Sequence, residues 1–88
     1  MSNDNLFKTA HATRQEQRGI IARLRRVAEV RPKFEFEHER TRKTKTTTER
    51  NVYTLRDKTN GALIAVLDTA TGIVQWPVNV RMRLGVGR

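Results

Sequence analysis

The chain contains no cysteine, which removes disulfides, thiolate zinc centres and cysteine nucleophiles from consideration. Histidine is nearly absent too, with only His11 and His38, and the five glycines form neither a phosphate-cradling loop nor a nucleophile elbow. The longest apolar run, Ala62 to Leu67, is far too short to cross a bilayer. Nor does the opening MSNDNLFKTA have the charged-then-apolar order of a signal peptide, so the expectation is a soluble, cytoplasmic chain with no membrane role. Acidic residues are the minority charge: 9 Asp and Glu stand against 18 Lys and Arg, a net charge of +9 on 88 residues.

That imbalance is the strongest global signal. A positive potential on so small a surface attracts polyanions, nucleic acid first among them. Thirteen of the cations are Arg, whose guanidinium forks two donors onto a phosphate or a guanine edge and stacks on bases. With 36% hydrophobic and 31% charged residues, the composition is that of one small folded domain over 1–88 with a wet surface and a limited core.

Residues 3–30 follow a helical pattern that ends before Pro32, because the residue preceding proline avoids helical backbone angles. Ile20, Ile21, Leu24, Val27 and Ala28 make a firm apolar stripe, continued weakly by Leu6, Ala10, Thr13 and Gln17. The intervening HATRQEQRG is polar on nearly every side and Gly19 weakens it further, which predicts a helix over 13–30 and a separate short helix or mobile arm over 1–12. Away from the stripe, His11, Arg14, Arg18 and Arg25 fall together, with Arg26 beside them.

After Pro32 the period becomes two. Phe34, Phe36 and His38 point one way and Glu35, Glu37 and Glu39 the other, as in a half-buried strand. It runs into RTRKTKTTTER, where Arg40 and Arg42 continue the Phe side and Lys43 and Lys45 the Glu side, ahead of Arg50. DKTNG (57–61) and DTATG (68–72) share Asp first and Gly fifth, a spacing that fits two hairpin turns better than calcium loops, whose further oxygen ligands are missing. They separate strands at about 50–56, 62–67 and 73–76; Pro77 marks an edge or bulge, 78–84 alternates again with Arg81 and Arg83 outward, and 85–88 is a frayed tail. ALIAVL is apolar on both sides and therefore central, so one side needs the helix and the other a second layer, barrel closure or a second copy of the chain.

The fold expected is α+β: an N-terminal amphipathic helix on an antiparallel β-meander of four to five strands over 33–84, barrel-like if it closes, with a basic β-ribbon or loop at 40–50. No enzyme is expected. The one cluster resembling a metal site, Glu35, Glu37, His38 and Glu39, is split between two sides of a strand, and no metal or cofactor is called for. The leading functional expectation is non-enzymatic nucleic-acid binding, DNA or RNA, through Arg14, Arg18, Arg25, Arg26, Arg40, Arg42, Lys43, Lys45, Arg50, Arg81 and Arg83. Thr hydroxyls of TKTTT add phosphate donors. His38, Tyr53 and Trp76 can stack on bases, although a lone Tyr and Trp in a small domain are more often core residues. The alternative is a small basic adaptor or inhibitor, of the kind phages and mobile elements encode, docking on an acidic protein surface such as that of a nucleic-acid enzyme; a homodimer fits either reading.

Overall fold

The computed structural model describes residues 7–46 and 49–78. The chain order is β1 (Phe7–His11), α1 (Arg14–Val30), β2 (Phe34–Thr41), β3 (Arg50–Asp57), β4 (Leu63–Asp68) and β5 (Ile73–Pro77). All neighbouring strands are antiparallel, and their spatial order is β1-β5-β4-β3-β2. The molecule is therefore α+β with one helix among the described residues. Its sheet is open, because β1 and β2 lie at opposite edges, and this corrects the barrel expectation.

Phe7–His11 is a second correction. Within the stretch read as a mobile arm or short helix, these residues form an edge strand on β5, with Phe7 opposite Pro77 and His11 opposite Ile73. The helix is consequently not the first element. Its start is fixed by a capping box: the Thr13 hydroxyl accepts from the Glu16 amide at 3.2 Å, and Glu16 Oε1 accepts from the Thr13 amide at 2.9 Å. The helix continues through Gly19, carried by the adjacent Ile20 and Leu24, both fully buried. Arg31 is extended (φ −119°, ψ 99°), as Pro32 demands.

The two Asp-to-Gly segments are hairpin turns built alike. Gly61 N–H donates to the Asp57 carbonyl and Gly72 N–H to the Asp68 carbonyl, each at 2.8 Å, with both glycines at positive φ. The apolar segment they enclose, β4, is the middle strand, as its two apolar sides require. On one side Leu55, Ala65, Leu67 and Val74 pack with Ile20, Leu24 and Ala12 to form the buried core. On the other side Val52, Val66 and Ile73 line a shallow surface on which no described element packs. No described helix is long and apolar enough to cross a membrane.

The connections dictate how the helix lies. Two residues, Ala12 and Thr13, join it to one edge strand, and three, Arg31 to Lys33, join it to the other. Five strands place those edges about 19 Å apart, and a helix of 17 residues is about 25 Å long, so it must cross the sheet diagonally. It starts beside the β4–β5 turn, where Ala12 N–H donates to the Gly72 carbonyl at 2.8 Å, and ends at the foot of β2, where it meets the opposite end of the sheet.

Candidate nucleic-acid interface

The hairpin β2–β3 reaches farther than its neighbours. Val52 pairs with Asp68, the last residue of β4, whereas Arg40–Asn51 and Thr41–Arg50 pair beyond it and the basic segment 42–49 joins them. The ribbon is anchored at this level: Thr69 donates its amide (3.0 Å) and hydroxyl (2.9 Å) to the Asn51 carbonyl, and Arg50 forms an ion pair with Asp68. Since Gly72 of the same turn bonds Ala12, just before the helix cap, the ribbon, the β4–β5 turn and the helix N-terminus meet at one end of the molecule. The positive pole of the helix dipole adds to the potential there.

The cations divide into two groups. Arg40 donates to Glu49 Oε1 from Nε at 3.1 Å and from Nη2 at 2.5 Å, and these bonds and the carboxylate charge raise its pKa. Arg50 is raised likewise by its bond to Asp68, whose own pKa is lowered, first by Arg50 and further by the Ala70 amide, against an opposing effect of burial. Arg56 reaches Glu37 at 3.4 Å, and the guanidinium of Arg25 lies over the Phe36 ring at 5.4 Å. These side chains shape the ribbon. By contrast Arg14, Arg18, Arg26, Arg42, Lys43 and Lys45 are exposed and, among the described residues, have no carboxylate within ion-pair distance.

Of the eleven predicted contact residues, Arg14, Arg18, Arg40, Arg42, Lys43, Lys45 and Arg50 thus gather toward the ribbon end. Arg25 and Arg26 lie farther along the helix, and Arg81 and Arg83 lie outside the described residues; His11, read on the same helix face but not counted among the eleven, is on β1. The predicted parity of β2 is also visible: Glu35, Glu37 and Glu39 occupy the side away from the helix, and Phe34 and Phe36 are half-buried beneath it. His38 lies opposite Tyr53 in the register, and their rings stack with centroids 4.2 Å apart and 13° between planes. Tyr53 also stacks on Phe36 at 5.9 Å. The His38 Nε2–H donates to Asn51 Oδ1 at 2.7 Å.

Sequence reasoning passed over Asn51 altogether. Its only signal is parity with Tyr53, which acquires meaning once the register sets it diagonally beside His38. The division of cations was missed for the same reason, since Asp68 is eighteen residues from Arg50. Among the described residues no group of three His, Asp or Glu is placed to hold a metal ion. Compared with protein-family models, with characterised proteins and with solved structures, the chain matches none.

Proposed function

We propose that this protein binds nucleic acid without acting on it chemically, gripping the phosphate backbone with the β2–β3 ribbon tip and the first turns of the helix. The observation that supports this reading is the set of exposed cations that, among the described residues, lack carboxylate partners, Arg42, Lys43 and Lys45 with Arg14 and Arg18, at one end of the molecule. An exposed cation with no internal partner is available to exchange counterions for phosphates, whereas one held by a carboxylate is not. Arg40 and Arg50, held by Glu49 and Asp68, serve as the ribbon's frame.

Replacing Arg42, Lys43 and Lys45 together by Ala tests it in a salt-titrated binding series. Three lost phosphate contacts lower the steepness of log K against log salt by about 2 to 3, at about 0.7 to 0.9 per contact. An unchanged slope in the folded variant rejects the ribbon tip as the interface.

A second reading, a protein-interaction module, draws on a different observation. The sheet side away from the helix carries the half-buried Val52, Val66 and Ile73, with Phe7 46% accessible at its margin. A second copy of the chain on that surface gives a homodimer, which sedimentation equilibrium detects as a concentration-dependent mass. A monomer at all concentrations removes self-association from this reading.

A further inference from the structure

The diagonal course of the helix leaves one corner of its own sheet side, over the ribbon-end halves of β2 and β3, with no other described element packed on it. There His38 is exposed, Tyr53 and Asn51 are half-buried, and the two rings lie nearly parallel. Arg14, Arg18 and Arg25 fall within about 40° of one another around the helix axis, and the Arg25 guanidinium lies over Phe36 of β2. A column thus runs from Arg25 through Phe36 and Tyr53 to His38, whose outer face has no ring against it among the described residues.

We infer that the His38–Tyr53 stack is a platform for an unpaired base, making the ligand single-stranded nucleic acid; this rests on the backbone-binding reading above. Three features recommend that occupant. A planar ring already aligned by Tyr53 and held by Asn51 accepts a further π-face without reorganising. The cations that follow His38 along the ribbon, Arg42, Lys43 and Lys45, supply positive charge for the strand's phosphates. The bond from His38 occupies Asn51 Oδ1 and leaves the Asn51 amide N–H₂ free to donate to a base edge. A paired base inside a duplex presents no face to such a platform.

The test uses the full chain and labelled 20-nucleotide strands, oligo-dT and oligo-rU, beside a mixed-sequence duplex, with fluorescence anisotropy at one salt concentration. Single strands bind the native protein more tightly than the duplex. His38→Ala, at an exposed position, weakens single-strand binding about 5-fold or more, the lower bound for one stacked base, and leaves duplex binding unchanged. His38→Phe, which retains the ring but not the hydrogen bond, restores at least half of that loss on a logarithmic scale. If His38→Ala weakens single strands and duplex alike, or weakens neither while the ribbon-tip variant weakens both, the platform is rejected and the backbone reading stands. If the native protein binds none of the three, both fall.

Discussion

Gly72 and Gly61 have nearly the same positive φ, +76° and +71°, yet substitution should separate them. A methyl group at position 72 would lie 2.9 Å from the Ala12 carbonyl oxygen and 3.2 Å from Gln17 Nε2, which itself donates to that oxygen at 3.1 Å. At position 61 the same methyl meets open space. Both alanine variants carry the left-handed backbone cost of about 1–3 kcal/mol, and Gly72→Ala is expected to lose about 1 kcal/mol more, because it also wedges the joint where strand, helix and turn meet. Urea denaturation of the pair checks this; equal losses would mean the joint yields freely. In the core, Leu55→Ala should cost about 2–5 kcal/mol, since Leu55 is fully buried between Ala65 and the helix.

At the scale of elements, the turns carry a pH dependence. Asp57 is lowered below the ordinary carboxylate range, first by the Thr59 hydroxyl and then by its amide, and Asp68 by Arg50. A carboxylate lowered in the folded state contributes stability that is present in full above its unfolded value, about 3.9, and is lost as pH falls through the folded value. The denaturation midpoint should therefore decline below about pH 4, and the double variant Asp57→Asn with Asp68→Asn should decline less over the same window. A parallel decline would place the acid sensitivity elsewhere. Much at this scale was legible in the sequence. Asp-to-Gly spacing located the turns, alternation located β2, and Pro32 ended the helix. Phe7–His11 was not legible, because five residues with two polar or charged and two aromatic side chains and one Ala carry no decisive period. That strand exists because β5 offers it an edge to pair with, and because Ala12 is pulled against Gly72.

For the whole molecule, the question is whether the net charge of +9 acts as one field or through a place. Arg18→Ala and Lys58→Ala each leave the chain at +8, since 9 − 1 = 8. Arg18 belongs to the ribbon end, and Lys58 lies in the β3–β4 turn at the opposite end, where its amide bonds the Lys33 carbonyl. Arg18→Ala is expected to weaken nucleic-acid binding several-fold and to reduce the salt slope by about 0.7 to 0.9, with Lys58→Ala near the native values. Equal effects would mean that the charge acts only by long-range attraction.

The sequence by itself determined the kind of molecule: no thiol chemistry, a cationic surface, a helix with one apolar stripe, and three strands joined by two Asp-to-Gly turns around a doubly apolar middle. Those properties follow from local backbone preference and from hydrophobic period, which act over a few residues. Only the tertiary structure decided that the sheet stays open, that a polar segment closes its edge, and which cations are held by Glu37, Glu49 and Asp68. It also decided that His38, Tyr53 and Asn51 come together on the helix side of the sheet. Pairing register and helix direction join residues far apart in the chain, and no local preference specifies such a meeting.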